Sequence, residues 1–314
     1  MRLIFAGSPA VAVPSLRALI AADHEVAAVL TREDSPQGRR RVLTPTPVAV
    51  AAEESDIRVI RANRLDDAVA QQIAALEPEL GVIVAYGGLL REPLLSTPPL
   101  GWINLHFSLL PRWRGAAPVQ RAIMAGDEIT GATVFRLVEE LDAGDVYGHF
   151  SQRIGSHETA GHLLDSLADG GAELLAGVVS ALAEGTARAE PQRGDVTLAP
   201  KLRLADGLVD FAQHSSTVLS RIRGVTPEPG AFALLQGERF KIHQAAPARE
   251  HAPLAPGVLE NRDGRVIVGT GDEPIELLEV QAAGKRAMLA AEWWRGRPAS
   301  APAAFDVDGA AVGS

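Results

Sequence analysis

The sequence predicts an α/β domain with a mostly parallel sheet, followed by a small β-barrel or β-sandwich. Apolar strand-like runs alternate with helical patterns in the first half, an order typical of a parallel sheet with helices on both faces. Later runs such as "GAFALL", "RFKIHQA" and "PIELLEVQ" are short and separated by turn residues, which is typical of a small β domain. The length of 314 residues suits two domains.

The elements of the first half follow from hydrophobic spacing. Five apolar runs predict strands at Arg2–Gly7, Glu25–Thr31, Ile57–Arg61, Leu80–Tyr86 and Ile103–Phe107. "GATVFRL" and "DVYGHFSQRI" predict two more strands, the second polar enough for a sheet edge. Helical spacing predicts helices over Leu65–Leu76 and from about Thr159 to Glu184. Ser8 is expected to cap a helix after the first strand.

The composition of the chain changes at the segment "GTARAEPQRGDVTLAP", which is rich in Gly, Pro and Arg and is typical of a linker. We therefore expect a first domain at residues 1–188, a linker at 189–205 and a C-terminal domain at 206–314.

Composition excludes several classes of protein. With 46% hydrophobic and 22% charged residues, the chain has the composition of a soluble globular protein, and the lack of cysteine excludes disulfides and thiol chemistry. The N-terminus does not resemble a signal peptide, and no apolar run looks long enough for a membrane span. We expect a cytoplasmic protein. The net charge of −9 argues against a protein that coats nucleic acid, although local basic patches remain compatible with it.

The stretch "GWINLHFSLLPRWRGAAP" carries the first candidate site. Alternation along the strand places Trp102, Asn104 and His106 on one face, near the carboxyl end where α/β sheets bind ligands. An amide donor and an imidazole suit a developing oxyanion and a proton transfer, as acyl transfer requires. The same pattern also fits two polar side chains that are satisfied inside a buried strand.

A carboxylate in "LDAGD" is the candidate partner of this imidazole. An aspartate in a polar loop could orient His106 and raise its pKa, which would favour the imidazolium. Residue types alone do not distinguish Asp142 from Asp145. Nearby, "AYGGLL" follows another strand end, and its glycines allow a flat ligand to approach the backbone.

These motifs together resemble a known family. "FAGSP", "VAYGGLL", "NLHFSLLPRWRGAAPVQRAI" and "LDAGD", in this order, are similar to the formyltransferases that act on methionyl-tRNA, and "QAAGKRAM" resembles a late motif of their C-terminal domain. The resemblance covers nearly the whole chain. It implies a Rossmann-like first domain, an OB-like second domain, and transfer of a formyl group from 10-formyltetrahydrofolate to the amino group of initiator methionyl-tRNA, for translation initiation.

The family's residue roles carry over to this sequence position by position. The resemblance implies that Asn104, His106 and Asp142 are catalytic, which selects the first aspartate of "LDAGD". It implies folate binding by Ser108, Leu109, Leu110 and Pro111, and we add Tyr86, Gly87, Gly88 and Leu89 as the wall of the pocket. It also implies that the enzyme needs no metal, and we expect a monomer. Phe107 stands where many relatives carry Gly or Ala, and we expect it to change packing only.

The basic loop "TREDSPQGRRRVLTPTP" points to the second substrate. Arg39, Arg40 and Arg41 could grip phosphates, and the family places a tRNA-contacting insertion here. In the C-terminal domain, we expect tRNA contacts from Lys241, Lys285 and Arg286.

Three other functions compete with this interpretation. A formyltransferase for a small amine would share the catalytic residues, and only the basic loop and the second domain argue against it. A non-catalytic RNA-binding protein would not need Asn104, His106 and Asp142 together. A dinucleotide oxidoreductase is disfavoured, because "FAGSP" lacks the G-x-G-x-x-G spacing.

Overall fold

The computed structural model describes residues 1–38, 40–298 and 303–306. The chain folds into two compact units. The first comprises residues 1–118, 129–152 and 164–199, and the second comprises residues 119–128, 153–163 and 200–314. Residues 189–199, which the sequence assigned to a linker, therefore belong to the first unit. The domain boundaries drawn from the sequence stay a prediction.

A seven-stranded sheet organises the first half of the chain. Its strands are β1 (Arg2–Gly7), β2 (Glu25–Thr31), β5 (Val59–Arg61), β6 (Leu80–Val84), β7 (Trp102–His106), β8 (Ile129–Arg136) and β9 (Val146–Arg153), in the order β5-β2-β1-β6-β7-β8-β9. The pairs from β5 to β7 are parallel, whereas β7 and β8 are antiparallel. The polar strand β9 lies at an edge, as predicted. The strand order reverses between β1 and β6, the kind of point at which α/β sheets bind ligands.

Helices connect these strands. They are α1 (Val13–Ala21), α2 (Pro47–Glu53), α3 (Asp67–Ala74), α4 (Pro118–Ala125) and α5 (Ala160–Ala183). Thr46 and Asp66 cap α2 and α3 by accepting hydrogen bonds from the amides of Ala49 and Val69. The prediction that Ser8 caps a helix is wrong. Its hydroxyl instead donates to the Tyr86 carbonyl and accepts from the Arg32 amide, so that it ties the loop after β1 to its neighbours.

Helix α5 has a length and composition that would also allow a membrane span, with 24 residues and a mean hydropathy of 1.3 over an 18-residue window. From the sequence we expected no apolar run long enough for a membrane span. Leu163, Leu167 and Leu175 on this helix are fully buried, and long apolar helices in the cores of soluble proteins have the same composition.

The second unit contains an antiparallel sheet, in agreement with the predicted small barrel-like domain. Its strands are β10 (Ala231–Leu235), β11 (Glu238–Pro247), β12 (Leu259–Arg262), β13 (Arg265–Val268), β14 (Ile275–Gln281) and β15 (Met288–Leu289), ordered β10-β11-β14-β13-β12 with β15 beside β14. Helices α6 (Ser215–Gly224) and α7 (Ala290–Arg295) accompany it. The buried side chains of Phe211, Phe240 and Phe305 form part of one apolar core.

Candidate active site

Strand β7 supplies two polar side chains to a cleft at its carboxyl end. Asn104 is half-buried, opposite Ile83 of β6 and Phe135 of β8, and His106 follows two residues later on the same face. Trp102 shares that face but is fully buried in an apolar cluster of the core. The strand is therefore covered on both faces at its start, and only its last residues open to the cleft.

The imidazole of His106 is held by the loop that follows β7. Its Nε2 lies 2.8 Å from the carbonyl oxygen of Trp113. Because a carbonyl oxygen only accepts, Nε2 carries the proton of this hydrogen bond. Nδ1 lies 3.8 Å from Oδ2 of Asp142, a separation too long for a direct hydrogen bond but short enough for a strong charge interaction.

The protonation state of His106 differs from the sequence-based expectation. Burial lowers the pKa of the His106 imidazole below its ordinary value of 6.5, and this effect outweighs the charge of Asp142 and the Trp113 carbonyl, which both raise it. The Asp142 charge therefore raises this pKa, as expected, but burial has the larger effect, and the expected preference for the imidazolium is not found. A lowered pKa favours the neutral ring near neutral pH, and the hydrogen bond to the Trp113 carbonyl places its proton on Nε2, so that Nδ1 can accept a proton.

The structure distinguishes the two aspartates of "LDAGD" by position. Asp142 faces His106, and its Oδ2 accepts a hydrogen bond of 2.8 Å from the Gly115 amide. Asp145 is exposed, and its backbone carbonyl accepts from the Arg136 amide at 2.8 Å. The geometry therefore favours Asp142 as the partner of the imidazole.

The loop around Asp142 is tightly fixed. Asp142 itself has a φ of 47°, a conformation that asparagine and aspartate tolerate better than most residues. A Cβ atom at Gly144 would lie 1.8 Å from the carbonyl oxygen of Arg136. Glycine is therefore required at this position for the loop to keep its path.

These residues line a cleft of about 550 Å³. The cleft includes Tyr86, Gly87, Gly88 and Leu89 together with Asn104, His106 and Asp142, and its wall continues over Leu90, Phe107, Val138 and Leu141. Leu89 and Leu141 are largely exposed, and because both line this cleft they offer an apolar surface to a ligand. The cleft thus combines an apolar wall with a few polar groups, as small-molecule sites commonly do.

Tyr86 lines this cleft on the side of the hydrophobic core. Its side chain is almost fully buried, and its hydroxyl donates to the Ala62 carbonyl at 2.8 Å. Burial raises the pKa of the Tyr86 phenol. The hydroxyl is thus occupied by the backbone, and the following Gly87 to Leu89 present the nearer surface.

The segment from Ser108 to Pro111 does not line this cleft. The buried Ser108 hydroxyl donates to the Arg112 carbonyl at 2.6 Å, and Pro111 is buried as well. Leu109 and Leu110 line a second cavity of about 860 Å³, together with Thr133. The structure does not bring these four residues to the cleft of Asn104 and His106, and their role in folate binding stays a prediction.

The basic residues of the prediction are exposed. Arg40 and Arg41 lie in the turn between β3 (Ser35–Gln37) and β4 (Val42–Thr44), which form a two-stranded hairpin inside the loop. Arg39 falls outside the described residues. Lys241 is exposed on β11, and Lys285 and Arg286 are exposed in the turn after β14.

Two residues of the segment 189–205, which the sequence predicted to be a linker, contact the loops that form the site. The sequence analysis did not identify them as site residues. Thr197 accepts a hydrogen bond from the Trp113 amide at 2.9 Å. The Gln192 amide donates to the carbonyls of Asp142 and Gly144. No local pattern marks these residues, because their partners lie far away in the chain.

The fold and this cleft define the class of protein. The family "Formyl transferase" matches residues 1–179, and the family "Formyl transferase, C-terminal domain" matches residues 201–298. The chain belongs to the formyl transferase family, as its sequence motifs predicted.

Curated relatives cover almost the whole chain and carry one name. Methionyl-tRNA formyltransferase of Clavibacter sepedonicus is 60% identical over 296 residues, which are 94% of this chain and 97% of the relative. Methionyl-tRNA formyltransferase of Leifsonia xyli subsp. xyli is 61% identical over the same shares of both chains. That of Arthrobacter sp. (strain FB24) is 51% identical over 98% of this chain and 100% of the relative.

Solved structures share the fold at low sequence identity. An N-formyltransferase from Helicobacter canadensis in complex with folinic acid and dTDP-3-aminofucose has a TM-score of 0.68 at 16% identity, covering 89% of this chain and 98% of that chain. HypX from Aquifex aeolicus in complex with tetrahydrofolic acid has a TM-score of 0.62 at 19% identity, covering 93% of this chain and 46% of that chain.

Proposed function

We propose that this protein transfers the formyl group of 10-formyltetrahydrofolate to the amino group of methionyl initiator tRNA. The observation that carries the proposal is the meeting of His106 and Asp142 beside Asn104, in one cleft at the end of β7. Relatives named methionyl-tRNA formyltransferase, 50–61% identical over most of the chain, support the choice of substrate.

The catalytic roles follow from the donors and acceptors of the cleft. The methionine amine attacks the formyl carbon, a C–N bond forms, and the bond between that carbon and N10 of the folate breaks. The amide of Asn104 donates to the oxyanion of the tetrahedral intermediate, and removing one such donor typically costs about 10²–10³ in rate. The amine loses a proton, and N10 gains one.

His106 moves this proton. Its neutral Nδ1 takes the proton from the attacking amine, directly or through a water, while Nε2 stays bonded to the Trp113 carbonyl. The carboxylate of Asp142, 3.8 Å away, stabilises the imidazolium formed in that step. The imidazolium then returns the proton to N10. Asp142 therefore acts on the charged ring, although it does not make that ring the resting form.

Folate binds on the apolar wall of the same cleft. Gly87 and Leu89 follow β6, and Val138 and Leu141 lie on the opposite side. A flat, partly apolar ring fits between such walls. Ser108 contributes indirectly, because its hydroxyl donates to the Arg112 carbonyl and so fixes the path of the loop, and folate binding by Leu109, Leu110 and Pro111 stays a prediction.

The basic residues contact the tRNA. Arg40 and Arg41 lie at the tip of an exposed hairpin, from which a guanidinium can reach phosphates. Lys241, Lys285 and Arg286 of the second unit supply a further positive surface, and Arg39 adjoins the first pair. We propose that the protein acts as a monomer in the cytoplasm and without a metal.

A competition experiment tests the choice of substrate. The protein is incubated with 10-formyltetrahydrofolate and methionyl-tRNA in the presence of excess free methionine or a nucleotide-linked amino sugar. The expected result is formyl-methionyl-tRNA as the main product, with little inhibition by either competitor. Preferential formylation of the amino sugar would instead establish the small-amine function.

A further inference from the structure

The segment that follows α5 makes backbone and side-chain contacts with residues near the cleft. Glu190 pairs with Val146, and Leu198 forms a parallel bridge with Arg114. Thr197 hydrogen-bonds through its hydroxyl to the Trp113 amide. This segment therefore lies against both loops that form the cleft at the end of β7.

Gln192 joins this segment to both loops through its side-chain amide. Its Nε2 donates to the Asp142 carbonyl at 2.7 Å and to the Gly144 carbonyl at 2.9 Å. Its Oε1 accepts from Nη2 of Arg114 at 2.8 Å and from Nε at 3.2 Å. Since carbonyls only accept and the guanidinium only donates, this amide orientation satisfies all four hydrogen bonds.

Arg114 continues this connection to the opposite loop. It lies between Trp113, whose carbonyl holds Nε2 of His106, and Gly115, whose amide donates to the Asp142 carboxylate. The Arg114 side chain is nearly buried and also binds Glu140. Hydrogen bonds thus connect the backbone of Asp142 through Gln192 to the Arg114 side chain. The covalent neighbours of Arg114 in the chain, Trp113 and Gly115, hold the His106 ring and the Asp142 carboxylate.

We propose that Gln192 is a positioning residue that fixes the distance between Asp142 and His106. Gln192 does not touch the reacting atoms, and its role rests on the function proposed above. A neutral amide suits this role, because one group must donate to two carbonyls and accept from a guanidinium at the same time. A methionine could fill the same space but would provide none of these bonds, and the loop would be free to shift by fractions of an ångström.

The test is a comparison of Gln192→Met with a matched control. Gln72→Met makes the same substitution at an exposed position of α3 and should leave formylation unchanged. For Gln192→Met we expect kcat to fall about 10- to 100-fold, with KM for methionyl-tRNA within about twofold of wild type. The limb of the pH–rate profile that reports His106 should move to lower pH, because a displaced Asp142 supports the imidazolium less.

A double-mutant cycle with Asp142→Asn gives the decisive comparison. If Gln192 acts through the Asp142 charge, Gln192→Met should cost less than about threefold in kcat when Asp142 is already asparagine. A full additional loss of about 10-fold in that background, or an unchanged pH profile in the single variant, would overturn the proposal. If Gln192→Met does not yield folded protein, Gln192→Glu serves in the same cycle, because it keeps the acceptor for Arg114 and loses both donors. Wild-type formylation in the same assay separates this result from a failure of the proposed function.

Discussion

Replacing Asp142 by asparagine removes the charge that faces His106 and little else. Asparagine has the same shape, and its side-chain oxygen can still accept the hydrogen bond that Asp142 receives from the Gly115 amide at 2.8 Å. Two unit charges separated by the 3.8 Å between Nδ1 and Oδ2 interact by about 4 kcal/mol at an effective dielectric constant of about 20. This interaction develops only when the ring takes a proton, so it lowers the barrier and not the energy of the resting state.

The expected result for Asp142→Asn is a loss of about 10³ in kcat, since each 1.36 kcal/mol corresponds to about a factor of ten. Single-turnover formylation of methionyl-tRNA with saturating enzyme measures it without interference from product release. The pKa of His106, followed by NMR, should fall further below its wild-type value, because the charge that raises it is gone. A variant that keeps more than about one third of the wild-type rate would refute the role assigned to Asp142.

Three further perturbations test other parts of the site. Gly144→Ala places a Cβ against the Arg136 carbonyl, and we expect a loss of about 1–3 kcal/mol in unfolding free energy, measured by chemical denaturation, with a lower kcat. The double change Arg40→Ala/Arg41→Ala should raise KM for methionyl-tRNA about 10-fold or more and leave KM for the folate unchanged. A KM for methionyl-tRNA equal to that of the wild-type protein would exclude a role of the hairpin in tRNA binding. Because burial lowers the pKa of the His106 imidazole, its NMR titration should lie below the ordinary value of about 6.5, and a titration above that value would contradict the neutral resting ring.

Much of the fold can be predicted from the sequence, because its signals are local. The strand Arg2–Gly7 has the predicted bounds, and Glu25–Thr31 does as well. Both are continuous apolar runs of a parallel sheet. The prediction for Ser8 was wrong because its hydroxyl binds the distant Tyr86 carbonyl, an interaction that no local pattern encodes.

The candidate site was predicted to a lesser degree. The spacing of Asn104 and His106 places both on one face of a strand, whatever the remainder of the chain does. The protonation of His106 depends on how deeply the ring is buried, and the competition between desolvation and the Asp142 charge is decided only by the folded structure. The importance of Gln192 was hidden for a similar reason, since its partners Asp142 and Arg114 come from other loops.

The most direct test of the central claim is formylation by the double variant Asn104→Ala/His106→Ala. Methionyl-tRNA and 10-formyltetrahydrofolate are supplied, and the esterified amino acid is released and identified by mass spectrometry. We predict formyl-methionine with the wild-type protein and none above the enzyme-free background with a folded double variant. Retention of wild-type formylation by that variant would show that the chemistry occurs elsewhere and would contradict the roles proposed for both residues.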